Sequence, residues 1–586
     1  MNEPHLANPD INPSFTKGVF CGEIREELVF PYPVLSAEEK ESLGMILGSF
    51  NSWAADTVDA AKHDHDGQFG PGVREGMAEL GLMGLNIPEE YGGFGASAKV
   101  FNRVFGEIGA TDGALAVYFG AHQSIGCKGI TLFGTEAQKQ KYLPRCASGE
   151  LVAAFCLTEP GSGSDAQAMK TMATPSADGT HYVLTGTKIW ISNAGFAGLF
   201  TVFAKVPTEE NGKKKQRVTA FIVDAKAPGV SLGKLEEKLG IKASDTRAVY
   251  FDNVKVPVED RLGDVGHGFR IALEILNSGR LGLSAASARG TRRMMEMALR
   301  YAKEREQFGR PIGSFELIQK KFATFAAETY ALDSAWMLTA DMVDRGGVDF
   351  SLETAACKIH GSELAFKAAS EAMQVAGGIG YSKEFPYERA MRDARINLIF
   401  EGTNEILRAL VALMGLQQPG ERLRAIGKAF KSPLQSIGVI GGFLAGKAKR
   451  KVSTPEFKLV HAEFAGEAEQ VASLVKDLAA GVESVLMKHG KDVIDKQFLQ
   501  ERMANAAIDI YLSTAVLSRV TAALESAPGS AKTLWEVECA RSFISTAYRR
   551  ARRNIRGLTR HRDERLTFLA ERALASGELL PASPTD

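Results

Sequence analysis

The chain has 586 residues, of which 45% are apolar and 24% charged, an ordinary balance for a folded globular protein. Its 70 Lys and Arg residues equal its 70 Asp and Glu residues, which argues against a protein that binds polyanions through bulk charge. No stretch reaches the roughly 18 apolar residues of a membrane span. Six cysteines without a CxxC pair argue against a disulfide framework or a zinc site.

The predicted elements fall into five regions. Five prolines in residues 1–35 predict an irregular arm, whose polar composition is not that expected of a secretory signal or a transit peptide. Ser36 and Glu39 form a capping-box pattern at the start of a helical region, residues 36–150. Residues 151–265 predict short strands without interleaved helices, hence a barrel or sandwich. Residues 266–416 and 417–586 are again helical, so the predicted fold is α+β and multidomain.

Three segments of the first 320 residues are candidate ligand sites. FCLTEPGSGSDA, residues 155–166, leaves a strand and offers open backbone amides, although an ordinary turn has the same composition. KIWISNAG places Trp190 and Ser192 on one face of a strand, where a structural Trp is the commoner case. Arg305, at a predicted helix end, has the geometry to bind a phosphate, with a solvated helix end as the alternative.

The most informative stretch is residues 374–408, QVAGGIGYSKEFPYERAMRDARINLIFEGTNEILR. Gly377 and Gly378 permit close approach of the backbone to a ligand. Glu401 lies between an apolar run and Gly402, and a carboxylate in an apolar setting has a raised pKa and is a candidate base. The alternative is an acid that caps the helix beginning at Thr403.

Two basic segments follow. Residues 422–451 carry eight Lys and Arg residues, no acid and an apolar middle, a pattern that favours contact with an anionic membrane surface over a solvated helix. The arginine run from Arg549 to Arg565 also contains Asp563 and Glu564, and it indicates a helix face or subunit contact rather than a nucleic-acid site.

In order and spacing, these motifs resemble the acyl-CoA dehydrogenase family over about residues 30–416. GAHQSIGCKGITLFGTEAQKQKYLP, AAFCLTEPGSGSD, KLGIKASDT, ILNSGR and IFEGTNEILR resemble its very-long-chain subgroup. The resemblance implies that family's fold, with residues 417–586 as the subgroup's extra C-terminal helical domain, and a homodimer.

The resemblance implies FAD as cofactor and assigns its contacts by motif. One wall of the FAD site would be formed by Phe155, Leu157, Thr158, Gly163 and Ser164, with Trp190, Ile191 and Ser192 beside the isoalloxazine. The FAD of the other subunit would be contacted by Arg305, Gln307, Phe308, Gln374, Val375, Ala376, Gly377 and Gly378. The remaining cofactor contacts would be Thr403, Asn404 and Glu405.

For the substrate, the resemblance implies contacts from Ser164, Asn277, Arg280, Phe400, Glu401 and Gly402. Glu401 would remove the α proton of a fatty acyl-CoA while the β hydride moves to the flavin, and a second base position used in the family falls on Gly279. Electrons would pass to electron-transfer flavoprotein. The expected location is the bacterial cytoplasm or an organelle matrix, with peripheral contact to the inner membrane through residues 422–451. An acyl-CoA oxidase and an assembly scaffold for a respiratory complex are the alternatives.

Overall fold

A computed structural model describes residues 12–210, 212–431 and 454–579. Its first region is helical, and its helices are α1 Phe15–Phe20, α2 Ala37–Thr57, α3 Ala60–Asp66, α4 Val73–Glu79, α5 Ala98–Thr111, α6 Gly113–Gly120, α7 Lys128–Phe133 and α8 Glu136–Ala147. The predicted capping box is confirmed. The Glu39 N–H donates to Ser36 Oγ at 3.0 Å, and the Ser36 N–H donates to Glu39 Oε2 at 2.8 Å.

The prediction that residues before 36 lack regular structure is wrong at two short helical segments, Phe15–Phe20 and Glu26–Leu28. Helix α1 begins at Phe15, and all six of its residues are buried. The Lys17 ammonium lies 2.8 Å from Asp349, and the Thr16 N–H donates to Glu353 at 2.8 Å. The prolines lie on either side of this helix and not within it. Burial of its apolar side chains stabilises the packed helix relative to a solvated arm.

The β region contains strands β1 Val152–Cys156, β2 Met172–Pro175, β3 His181–Ser192, β4 Ala197–Glu210, β5 Lys213–Asp224, β6 Val230–Leu232, β7 Thr246–Pro257 and β8 Arg261–Leu262. They form one eight-stranded sheet in the order β6-β7-β3-β2-β4-β5-β8, with β1 parallel to β4. Phe200 and Phe203 lie three residues apart on β4 and belong to two different apolar clusters.

The third region is a helical bundle. Its strands among the described residues are the short hairpin of β9 Glu306–Gln307 and β10 Arg310–Pro311, between its first two helices. Its helices are α9 Gly268–Glu304, α10 Glu316–Arg345, α11 Ser351–Ala376, α12 Tyr387–Arg395 and α13 Asn404–Gly415. Helices α9, α10 and α11 pack side by side, and α5 packs on α9. This arrangement puts α11 behind the turn that carries Glu401.

The C-terminal region contains α14 Gln417–Lys431, α15 Ala465–His489, α16 Gln497–Ser526, α17 Ala531–Arg556 and α18 Asp563–Ser576. Helix α16 is long and apolar enough to cross a membrane, but 83% of its most apolar window is buried against the rest of the chain, as in a core helix. Of the basic segment 422–451, residues 432–451 lie outside the described residues. The predicted fold class is confirmed, and the domain limits stay predictions.

Candidate active site

Glu401 lies on a turn between α12 and α13 whose backbone is strained. Its φ is 59° and that of Gly402 is 91°, so two successive residues occupy the left-handed region. Thr403 ends the turn, and its hydroxyl accepts a hydrogen bond from the Ile406 N–H at 3.3 Å. A left-handed residue that is not glycine costs about 1–3 kcal/mol and is common at functional sites.

Two buried cations hold this turn through its carbonyl groups. Arg280 Nε donates to the Glu401 carbonyl at 3.1 Å. Lys358 Nζ donates to the Gly402 carbonyl and to Asn404 Oδ1, both at 2.8 Å. Because both cations reach the backbone, they fix the position of the Glu401 side chain without forming an ion pair with its carboxylate.

The electrostatics of the turn are set by burial. Glu401 Oε2 is buried and has no hydrogen-bond partner among the described residues. Burial raises the pKa of Glu401 to about 7, against the opposing charges of Arg280 and Lys358. Burial likewise lowers the pKa of Lys358 to about 7. A carboxylate with a pKa near neutrality is suited to accept a proton from a weak carbon acid.

The carboxylate faces a largely apolar cavity of about 210 Å³. One side of the cavity is a stripe of α9, formed by Gly279, Leu283, Ala286, Gly290 and Met294. The opposite side is formed by small residues of α6, namely Gly113, Ala116, Val117 and Gly120. A Cβ at Gly279 would lie 2.7 Å from Glu401 Oε1, so a larger residue there would displace the carboxylate.

The first residues of the loop after β1 are held by hydrogen bonds, whereas the glycines that follow have free space around them. Lys188 Nζ donates to the Leu157 carbonyl at 3.1 Å and to Glu159 Oε1 at 2.8 Å, while the Ile189 N–H donates to the Thr158 carbonyl at 2.9 Å. By contrast, a Cβ at Gly161 or Gly163 would have no neighbour within 4 Å. The hydrogen-bonded part of the loop therefore fixes the position of the glycine backbone, which faces open space.

Strand β3 brings a further aromatic residue to this region. The β3–β7 register shifts between Lys188 and Ile191, and Trp190 has a φ of 58°, so the strand is not regular there. The Trp190 side chain is 57% exposed, whereas Ile191 is buried in the sheet core. Ser192, at the end of the strand, lines the same cavity as Glu401. Bulges of this kind often re-aim side chains beside active sites.

Comparison with known proteins gives matches along most of the chain. The acyl-CoA dehydrogenase N-terminal, middle and C-terminal domain families match residues 40–150, 154–254 and 266–415, and the ACAD9/ACADV C-terminal domain family matches residues 462–577. The very long-chain specific acyl-CoA dehydrogenase of Bos taurus mitochondria is 44% identical over 88% of this chain and 80% of its own. This chain belongs to the acyl-CoA dehydrogenase family.

Two further relatives of this acyl-CoA dehydrogenase extend the likeness to its whole length. The corresponding mitochondrial enzyme of Rattus norvegicus is 41% identical over 97% of this chain and 89% of its own. The crystal structure of an acyl-CoA dehydrogenase complexed with FAD from Bacillus anthracis superposes with a TM-score of 0.77 at 32% identity, covering 97% of this chain and 95% of that one. The family resemblance inferred from the motifs is therefore confirmed.

Several residues that the sequence assigned to substrate or cofactor meet at the Glu401 cavity. Phe400 and Ser192 line the cavity with Glu401. Arg280 and Asn277 lie behind the turn, joined by a hydrogen bond from Arg280 Nη1 to Asn277 Oδ1 at 3.1 Å. The roles assigned to these residues stay predictions.

Two predicted cofactor segments do not line that cavity. Arg305, Gln307 and Phe308 lie on the exposed β9–β10 hairpin, where Phe308 has a φ of 54° and is 93% exposed. At the end of α11, the side chain of Gln374 is exposed, whereas Val375 and Ala376 are buried in the helical core. Phe155 packs on Phe203 with ring centroids 5.0 Å apart, and Asn404 is buried beside Lys358.

Sequence reasoning missed Lys358 and the α6 side of the cavity. Lys358 stands in the apolar helical run TAACKIHG, and a lone lysine on a buried helix face is a signal for a partnered charge. The small residues of α6 look like ordinary helix packing in the sequence. Only the packing of α6 on α9 shows that they leave space.

Proposed function

We propose that this chain is an FAD-dependent acyl-CoA dehydrogenase that converts long- or very-long-chain fatty acyl-CoA to trans-2-enoyl-CoA, the first step of β-oxidation. The observation that carries the proposal is the buried Glu401 carboxylate, with a pKa of about 7, at one end of a deep apolar cavity. Such a carboxylate can remove the α proton of a thioester held in the cavity.

The residues beside Ser192 fit FAD. The exposed Trp190 indole offers a flat surface for a ring system, and the open backbone at Gly161 and Gly163 leaves room beside it. Thr158 and Ser164 add hydroxyl groups on the same loop. When bound there, the flavin supplies the hydride acceptor for the β carbon.

The turn of Glu401 supplies a hydrogen-bond donor as well as the base. The Glu401 backbone N–H makes no hydrogen bond to any described residue, so it can donate to the thioester oxygen. Negative charge grows on that oxygen as the α proton leaves, and a fixed N–H donor stabilises it. Arg280 and Lys358 hold the carbonyl groups of the same turn and so keep this donor in place.

The length of the cavity supports long chains. From Gly279 to Met294 the α9 stripe covers fifteen positions, which at about 1.5 Å per residue is roughly 22 Å. A zigzag of C–C bonds of about 1.5 Å advances roughly 1.3 Å per bond, so the stripe accommodates an acyl chain of about 16 to 18 carbons.

The partners follow from the same proposal. We infer a homodimer in which the exposed segments 305–308 and 374–378 contact the FAD of the second subunit, with electron-transfer flavoprotein as acceptor. The location would be the bacterial cytoplasm or an organelle matrix, with peripheral contact to anionic membrane through residues 422–451. Sedimentation with anionic vesicles tests the membrane contact, and peroxide release during turnover would indicate an oxidase instead.

The deciding experiment is a visible spectrum of the purified protein before and after anaerobic addition of palmitoyl-CoA. We expect a flavin band that bleaches in the wild type. Glu401→Gln should keep the flavin and slow the bleaching by about 10²–10⁴-fold, the usual contribution of a general base. The matched control is Glu38→Gln, at an exposed acid of α2, which should bleach like the wild type. A flavin that does not bleach in the wild type, or unimpaired Glu401→Gln, contradicts the proposal.

A further inference from the structure

The far end of the acyl cavity meets a second cavity of different character. Thr111, Pro386 and Arg389 line the end of the acyl cavity that lies away from Glu401, and the same three residues line the second cavity. The partition between the two cavities is therefore a single layer of side chains. The acyl cavity does not end against a thick apolar wall.

The second cavity is lined mainly by polar and charged residues, and most of its acids already have partners. Arg392 lies 2.7 Å from Asp64 and 2.7 Å from Glu388, and Lys242 lies 3.7 Å from Asp64. Asp59 caps α3 by accepting the Ala61 and Lys62 N–H groups. Three of the four acids that line this cavity, Asp59, Asp64 and Glu388, thus have their direct contacts with groups other than Arg389.

Two guanidinium groups at the partition form no direct salt bridge to an acid among the described residues. Arg389 lines both cavities and makes no direct hydrogen bond or salt bridge there, although it lies in the field of Asp64 and Asp393. Arg293 of α9 lines the second cavity, and its Nη1 donates to Thr111 Oγ1 at 3.4 Å. The nearest buried acid, Asp393, lines the acyl cavity and accepts a hydrogen bond from the Ile241 N–H at 2.5 Å. Two neighbouring arginines without a direct salt bridge are suited to bind a carboxylate.

The spacing places these arginines at the end of a long acyl chain. Arg293 follows Gly279 by fourteen positions of α9, or roughly 21 Å at about 1.5 Å per residue. The terminal carbon of a chain of about 16 carbons reaches the same distance. A terminal carboxylate on a shorter chain would instead end among Val117, Ala286 and Gly290, where nothing compensates its charge.

We propose that Arg389 and Arg293 form a binding site for the terminal carboxylate of long-chain α,ω-dicarboxylic acyl-CoA monothioesters, which this enzyme would oxidise as well as plain acyl-CoA. The inference rests on the proposed function, since it concerns the far end of the same cavity. The reaction at the thioester end is unchanged, and no bond is made or broken at the ω end.

The test compares kcat/KM for palmitoyl-CoA, hexadecanedioyl-CoA, dodecanoyl-CoA and dodecanedioyl-CoA in the holoenzyme. We expect hexadecanedioyl-CoA to be a substrate and dodecanedioyl-CoA to be much poorer than dodecanoyl-CoA, by about a hundredfold, because its carboxylate is buried unpaired. Arg389→Met and Arg293→Met should each lower the ratio of kcat/KM for hexadecanedioyl-CoA to that for palmitoyl-CoA by about tenfold or more. Arg300→Met, at an exposed arginine of α9 that lines neither cavity, is the matched control.

The outcomes separate the two proposals. If palmitoyl-CoA is oxidised but hexadecanedioyl-CoA is not, or if the arginine variants leave the ratio unchanged, the ω-carboxylate site is wrong and the proposed function stands. If the enzyme oxidises none of these substrates, the proposed function itself fails.

Discussion

Two buried lysines hold the two loops of the candidate site in the same manner. Lys188 donates to the Leu157 carbonyl and to Glu159 Oε1, and so fastens the loop after β1. Lys358 donates to the Gly402 carbonyl and to Asn404 Oδ1, and so fastens the turn of Glu401. Both lysines are fully buried. In each case one ammonium group satisfies a backbone carbonyl and one side-chain oxygen.

The difference lies in the charge of that second acceptor. Glu159 is a carboxylate and neutralises Lys188, whereas Asn404 is an amide and leaves the charge of Lys358 without a direct counterion. The carboxylate that acts most strongly on Lys358 is Glu401, whose pKa is raised by burial and lowered by Lys358. The comparison teaches that a paired lysine stabilises a loop, while one paired only with neutral groups also acts on the chemistry of its neighbour.

Removing the paired lysine should give the largest effect. Lys188→Met leaves Glu159 as a buried charge without its partner, which costs about 3–5 kcal/mol. We expect a clear fall in the midpoint of urea unfolding, followed by intrinsic fluorescence, together with loss of FAD from the loop it supports.

Lys170→Met is the control, because the side chain of Lys170 is exposed on the same loop. That variant should unfold at the wild-type midpoint. A Lys188→Met protein with an unchanged midpoint and full flavin content would contradict the assignment of Lys188 as the residue that holds the loop.

Removing the unpaired lysine should affect activity more than stability. Lys358→Met leaves the Gly402 carbonyl without its donor, a loss of about 1–3 kcal/mol, or roughly 5–150-fold in turnover if the turn is displaced. The variant also removes a cation that favours the Glu401 carboxylate, so the pKa of Glu401 rises. Since Glu401 must be deprotonated to act as the base, the midpoint of kcat against pH should move upward.

Lys367→Met, at an exposed lysine on the same helix, serves as control and should keep the wild-type profile. Lower turnover with an unmoved pH profile would mean that Lys358 supports the fold alone. The direction of the pH shift is the observation that distinguishes its electrostatic effect from a loss of packing.

The same two lysines show what a sequence can predict. Local signals were sufficient where the partners are close in the chain, as with the capping box of Ser36 and Glu39 and the apolar run around Glu401. Lys358 and its acceptor Gly402 are 44 residues apart and lie on different elements, so only the packing of α11 behind the turn brings them together.

Irregularities of the backbone were equally impossible to predict from the sequence. The register shift at Trp190 and the left-handed φ of Glu401 have no signature in residue type, because both are imposed by surrounding tertiary contacts. The arm was mispredicted for a related reason. Its prolines suggest irregular chain, but the burial of Phe15 and Phe20 depends on a surface formed by distant helices.

The smallest effect should come from giving Lys188 the kind of neutral side-chain acceptor that Lys358 has. Glu159→Gln gives Lys188 an amide oxygen in place of a carboxylate, and the amide can still accept one of the Lys170 and Thr171 N–H groups that Glu159 binds. We expect a loss of about 1–2 kcal/mol, less than for Lys188→Met, because no buried acid is left unpaired. Burial lowers the pKa of Lys188, and without the Glu159 carboxylate less opposes that shift, so the unfolded chain binds this proton more readily than the folded one. The urea midpoint of the variant should therefore rise as the pH is raised toward 10.5, the ordinary pKa of a lysine, whereas the wild-type midpoint should change less. A midpoint that falls over this range, or a loss as large as that of Lys188→Met, would show that the carboxylate of Glu159 does more than neutralise the lysine.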